Sequence, residues 1–129
     1  MNNKEIGNSF EQEWCEWLYN KGHYVHFVEP KRNGTQPFDV WSIKGGVFYA
    51  YDCKTLRGKR FTLSRVEENQ KNAFQLLWEQ GISTTYIVIK NESGVYMIPY
   101  LVVKRHIENG DNSLKVTDYE IYRVEGYNS

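Results

Sequence analysis

Phe38-Asp39-Val40-Trp41-Ser42-Ile43-Lys44-Gly45-Gly46-Val47-Phe48-Tyr49-Ala50-Tyr51-Asp52-Cys53-Lys54 is the stretch on which the fold turns. Aromatic and β-branched residues run on both sides of Lys44-Gly45-Gly46, which predicts two strands, Phe38 to Ile43 and Val47 to Leu56. The paired glycines supply the positive backbone angles of a tight hairpin between them. Gly46 follows Asp39 by seven positions and precedes Asp52 by six, so the hairpin stands the two aspartates nearly level across the ladder. Asp52 and Lys54 are two positions apart, which points both side chains to one face, roughly 6.6 Å apart along the strand. Aspartate is a poor strand former, yet two of them interrupt these strands beside Phe38, Val40, Ala50 and Tyr51. A local rule broken twice at one place marks a site. Two carboxylates this close repel unless a cation stands between them, and hard oxygen ligands with room for water suit magnesium. The same residues admit a plainer reading, in which Lys54 is the salt-bridge partner of two ordinary strand aspartates.

Outward from the hairpin, Ile6, Phe10, Trp14, Trp17 and Leu18 recur at helical spacing between Glu5 and about Asn20. Lys21-Gly22 ends that helix. Tyr24 to Val28 reads as a strand closed by Glu29-Pro30, and a polar loop, Lys31 to Gln36, leads to the hairpin. The three strands are expected to form an antiparallel meander. Downstream, Ser64-Arg65-Val66-Glu67 has the form of a capping box that opens a helix running to Gly81. That helix crosses over to deliver Thr85 to Lys90 as a fourth strand. After a turn at Asn91 to Gly94 come a fifth strand, Val95 to Ile98, and a helix, Tyr100 to Glu108. Tyr119 to Val124 is read as a last strand beyond the loop Asn109-Gly110-Asp111-Asn112. The order α-β-β-β-α-β predicts an α/β fold with a central mixed sheet flanked by helices.

The 129 residues, 40% hydrophobic, suit a single domain, 1–129, able to bury a core without disulfides or structural metal. No repeat, low-complexity tract or linker interrupts it. Apolar runs fall short of the roughly 18 residues a membrane helix needs, and MNNKEIGNSF lacks the apolar core of a secretory signal, so a cytosolic location is expected. Cys15 and Cys53 are then expected to be free thiols, and with no second pair and no histidine at ligand spacing they argue against a zinc site. His23, His26 and His106 read as structural, and Trp14 and Trp17 as packing residues of the first helix. Sixteen basic and sixteen acidic residues cancel, which removes overall charge as a sign of nucleic-acid binding. Locally, however, Lys54, Arg57, Lys59, Arg60 and Arg65 lie in a stretch with no acid, and phosphate contacts depend on such clusters. Gln70 shares a helical face with Val66, Ala73, Phe74 and Leu77, where a buried amide needs partners, whereas Asn69 and Gln75 read as surface.

The element order, with Pro37-Phe38-Asp39 followed by Asp52-Cys53-Lys54, resembles the PD-(D/E)XK nuclease superfamily over roughly residues 5 to 90. The closer likeness is to the Holliday-junction resolvases of that superfamily, whose first helix begins with Gly-x-x-x-Glu, as in Gly7-Asn8-Ser9-Phe10-Glu11. The sequence departs from the pattern in two places: Phe38 separates the proline from Asp39, and an aspartate precedes Lys54 by two where resolvases usually carry glutamate. The resemblance implies a restriction-endonuclease-like core over about residues 5–90, with C-terminal additions from 91 to 129. It also implies a magnesium-dependent endodeoxyribonuclease in which manganese substitutes. Asp39 and Asp52 would be the main metal ligands, with the Cys53 carbonyl and Glu11 completing the set, and the Cys53 thiol would face the core. Lys54 would be the catalytic base-like residue, and Gln70 would stand beside it. A helical wheel alone does not separate Glu11 from Glu13, since both flank the apolar stripe. Lys31, Arg32, Arg57, Lys59, Arg60 and Arg65 would contact DNA phosphates. The likeness further implies branched DNA as substrate, a homodimer because a four-way junction needs two symmetric cuts, and a phage-encoded protein or one of the bacterial cytoplasm. A nickase or restriction-type endonuclease, or a non-catalytic DNA- or protein-binding module, would share the same fold.

Overall fold

The apolar stripe of the first segment winds as a helix, α1, over Asn3–Asn20, and it buries Phe10, Trp14 and Leu18 to no more than 3% exposure. The structure, a computed structural model, describes residues 3–29 and 36–127, with side chains described from Ser9 onward, so Lys31 and Arg32 lie outside the described residues. Three strands follow as an antiparallel meander: β1 (Tyr24–Phe27), β2 (Val40–Lys44) and β3 (Val47–Thr55). Gly45 and Gly46 take φ of 59° and 76°, which closes a two-residue turn and pairs Lys44 with Val47. That register fixes every later residue of the hairpin.

After β3 the chain makes a short strand, β4 (Arg60–Thr62), a 3-10 turn at Leu63–Arg65, and the helix α2 (Glu68–Glu79). It returns as β5 (Thr85–Asn91) parallel to β3, then β6 (Gly94–Pro99) antiparallel to β5, then α3 (Tyr100–Glu108). A three-residue strand, β7 (Ser113–Lys115), pairs with β4, and a 3-10 segment, Val116–Tyr122, follows it. The central sheet is therefore mixed, in the order β1-β2-β3-β5-β6. The expected α-β-β-β-α-β order holds, and β6 extends the sheet beyond it.

Alternation along β3 divides the core between the two faces of this sheet. Tyr51 and Cys53 pack with Val40 and Val88 against α1, whereas Ala50 packs with Ile87, Ile89 and Phe74 on the face covered by α2 and α3. Each large side chain so buried contributes roughly 1.5–3 kcal/mol. The Cys53 thiol accordingly lies in the α1-side core, 8% exposed, and Asp52 points to the α2 side.

Three sequence expectations are corrected. Ser64-Arg65-Val66-Glu67 does not open the second helix: Leu63 and Val66 are both buried, and the Leu63 amide donates to the Asn112 carbonyl, which holds this segment in a 3-10 turn. The helix starts at Glu68 instead, with the Glu67 amide donating to Gln70 Oε1. Between Leu56 and Ser64, where the sequence reading places no element, Phe61 turns inward at 0% exposure and makes Arg60–Thr62 a strand. Tyr119 to Val124 does not form the expected last strand. Tyr119 and Tyr122 stack at 6.2 Å and lean on the core together, on a 3-10 segment kinked at Tyr119, where φ is −118° and ψ 41°. Only the bridge between Tyr96 and Arg123 keeps a trace of sheet pairing there. Among the described residues no helix is long and apolar enough to cross a membrane.

Candidate functional site

Asp39 is the residue just before β2, and its backbone is stitched on both sides. Its amide donates to the Tyr51 carbonyl at 3.0 Å, and its carbonyl accepts from the Val28 amide at 2.8 Å. Since Val40 pairs with Tyr51, the next step along the ladder sets Asp39 level with Asp52, as the spacing around the double glycine predicts. Both are buried, Asp39 at 8% exposure and Asp52 at 0%. Asp39 Oδ2 accepts from the Cys53 amide at 2.8 Å, so the peptide unit beside Cys53 is oriented by the first aspartate.

Asp52 is held from three directions. Gln70 Nε2 donates to Oδ1 at 2.8 Å, Lys54 Nζ lies 3.1 Å from Oδ2, and Asp39 stands across the ladder. The lysine supplies charge at Oδ2 but is not aligned to donate, and that oxygen is buried with no hydrogen bond. Gln70 Oε1 in turn accepts from the Glu67 amide at 3.0 Å and from Lys54 Nζ at 3.4 Å. Its buried amide therefore joins Asp52, Lys54 and the first turn of α2, which answers the need for partners.

The carboxylates oppose one another. Burial, and after it the charge of Asp39, hold the Asp52 carboxyl well above the usual range, with the Lys54 ammonium pulling it back. Glu11, on α1, is pushed up to about 7 by burial and then by Asp39, again against Lys54. Glu11 thus feels the same two charges as Asp52 and belongs to this neighbourhood. Glu13, two residues on, turns elsewhere and forms an ion pair with Lys90 Nζ at 2.9 Å. The two glutamates that the helical wheel leaves together are thus set apart by a lysine from β5, a contact no local pattern records.

Asn69 also departs from its surface reading, because its Nδ2 donates to the Gln36 carbonyl at 2.7 Å and so fastens the chain that leads into Asp39. Of the basic residues, Arg57, Lys59 and Arg60 are exposed around Gly58, whose amide donates to the Glu92 carboxylate and whose carbonyl accepts from Asn91 Nδ2. Arg65 stands on the 3-10 turn with its guanidinium 5.3 Å from the Phe61 ring centre. None of these four bridges a carboxylate of the cluster among the described residues. His23 bonds Ser42 Oγ, and His106 bonds Asp111 and Tyr119, in keeping with structural roles. A cavity of about 500 Å³ lined in part by Trp17, His23, Tyr49, Tyr86 and Met97 opens on the α1 face and includes none of the expected site residues.

In kind, the donors fit a hard divalent cation: they are carboxylate oxygens with a backbone carbonyl beside them, one carboxylate oxygen is buried without a hydrogen bond, and the positive charge set against the Asp39–Asp52 repulsion is that of Lys54. In position they stand looser than an occupied centre. Among the described residues no three histidine, cysteine, aspartate or glutamate side chains are gathered closely enough to hold an ion.

No protein-family model and no curated protein matches the chain. Among solved structures it is similar to Hjc of Archaeoglobus fulgidus, a Holliday junction resolvase from an archaeal hyperthermophile, at 17% identity and a TM-score of 0.66. The match covers 88% of this chain and 89% of that one. The fold is thus a restriction-endonuclease-like α/β fold, shared with that structure, as the sequence led one to expect.

Proposed function

We propose that this chain is a divalent-metal-dependent endonuclease that hydrolyses phosphodiester bonds in DNA, with branched DNA as its preferred substrate and two copies acting together. The observation that carries the reading is the level, buried pair Asp39 and Asp52 with Lys54 Nζ 3.1 Å from the second of them. Asp39, Asp52, the Cys53 carbonyl and Glu11 would hold magnesium, or manganese in its place. A bound ion of this kind polarises the scissile phosphate and lowers the pKa of a water.

The chain's own residues do the rest. Asp39 orients the peptide at Cys53 through the amide it accepts from. Gln70 fixes the rotamer of Asp52 and steadies Lys54, so neither side chain has to search for its place. Lys54 then brings an ammonium to the point where charge develops on the phosphate, or orients the attacking water. Arg57, Lys59, Arg60 and Arg65, together with Lys31 and Arg32, would hold the DNA backbone around this centre.

A second reading is a binding module for DNA or a protein on the same fold, favoured by the existing Lys54 and Gln70 contacts to Asp52 and the open spacing of the acids. Purified protein incubated with four-way junction, duplex and single-stranded DNA separates the readings. Cleavage of the junction in magnesium or manganese, absent in chelator, is expected. Binding without cleavage of any DNA would favour the module, and preferential cutting or nicking of duplex would favour a restriction-type enzyme or nickase. Asp52→Asn is expected to lower the cleavage rate at least about a hundredfold while leaving junction binding intact; a variant that cuts at the wild-type rate would refute the site.

A further inference from the structure

The small sheet formed by β4 and β7 has one buried and one open face. Its register pairs Arg60 with Lys115, Phe61 with Leu114, and Thr62 with Ser113. Phe61 and Leu114, at 0% and 1% exposure, fill the inner face. The period of two then sends Arg60, Lys115, Thr62 and Ser113 together to the outer face. Arg60 and Thr62 are exposed, and Lys115 and Ser113 are half-buried.

Two cations directly opposite one another on a ladder destabilise it unless an anion intervenes. Among the described residues no carboxylate bridges either one. Of the nearest acids in sequence, Asp111 binds His106 at 2.8 Å, and Asp118 makes no ion pair with Arg60 or Lys115. Arg60 Nη1 reaches only Ser113 Oγ, at 3.4 Å, a contact at the long limit of a hydrogen bond. The outer face therefore offers a guanidinium, an ammonium and two hydroxyls. The frame beneath is rigid. The Val116 amide donates to the Lys59 carbonyl at 2.8 Å and the Leu63 amide to the Asn112 carbonyl at 3.0 Å, tying the two strands at both ends.

We infer that this face binds the phosphodiester backbone of nucleic acid, with Arg60 and Lys115 on phosphate oxygens and Thr62 and Ser113 completing the donors. The inference rests on the nucleic-acid reading above and extends it to Lys115 and Ser113, in a part of the chain far from the basic stretch in sequence. An arm of the substrate leaving the acidic cluster would thereby be held on a second element.

The test is the salt dependence of binding to labelled junction DNA in chelator, where no cleavage can occur. Each phosphate contact steepens the log–log slope by about 0.9. Lys115→Gln and Arg60→Gln are each expected to flatten it by about 0.9 and the double variant by about 1.8, with Lys115→Arg retaining the wild-type slope. Because glutamine relieves the like-charge pair, the variants should melt no lower than wild type, so folding is checked in the same preparation. A double variant that keeps the wild-type slope and melting temperature overturns the inference. So does equal displacement of the DNA from wild type and double variant by phosphate ion. Failure of the wild type to cleave in magnesium would instead sink the nuclease reading and leave the slope comparison standing.

Discussion

Replacing Glu11 with glutamine keeps the shape of the side chain and removes the charge that the cluster resists. The carboxyl sits at about 7 where 4.5 is ordinary. At about 1.36 kcal/mol per pH unit, that displacement is an upper bound of roughly 3.4 kcal/mol, and solvent reaching the half-buried side chain cuts it to about 1–2 kcal/mol. The folded chain holds the proton more tightly than the unfolded chain. Folding therefore loses stability as pH rises from 4.5 to about 7 and stays at the lower level above it. In metal-free buffer Glu11→Gln should melt roughly 3–10 °C above wild type at about pH 8 and level with it near pH 4. Magnesium added at the higher pH should raise the wild-type melting temperature and narrow the gap, since binding to the folded state alone stabilises it. Differential scanning calorimetry at the two pH values, with and without the ion, reads all of this. Equal melting at pH 8, or a gap of the same size near pH 4, would refute the placement of Glu11 in a crowded acidic neighbourhood.

The other variants separate the site from its supports. Gln70→Leu takes a donor from buried Asp52 and the acceptor from the Glu67 amide, and should cost about 2–4 kcal/mol in urea unfolding. Its cleavage should fall with little change in DNA affinity; a stable, fully active variant would detach Gln70 from the site. Lys90→Met breaks the ion pair that turns Glu13 away from the cluster. Because that pair is partly exposed, its stability effect should stay below about 1 kcal/mol. The same pair ties α1, which carries Glu11, to β5, so the apparent affinity for magnesium should nonetheless weaken, with recovery in the Glu13→Lys, Lys90→Glu exchange; no recovery would mean the pair does not position α1.

The hairpin was legible because two glycines set its turn and the period of two carries that register outward to Asp39 and Asp52. Gln70 was legible as a polar residue on an apolar face. Glu11 was not separable from Glu13 by spacing, since the deciding partner, Lys90, lies on β5, 77 positions from Glu13. The pairing of β4 with β7 was hidden for a similar reason: each strand is three residues long, too short for alternation to stand out, and the partners lie far apart in the chain. Ser64 misled because the local form of a capping box says nothing of the pull on Leu63 and Val66 from the core. At Tyr119 and Tyr122 a β-rich composition competed with a spacing of three, and side-chain packing favoured the latter.

Gln70 has a further consequence. One amide group serves at once as the N-terminal stop of α2 and as the clamp on Asp52. The onset of the helix and the posture of the acid are thereby a single mechanical unit: unwinding the first turn by a residue would release the carboxylate, and a tug on the carboxylate would loosen the turn. Sequence change at this end of α2 is constrained from two sides, by the demands of helix geometry and by those of the acid it grips.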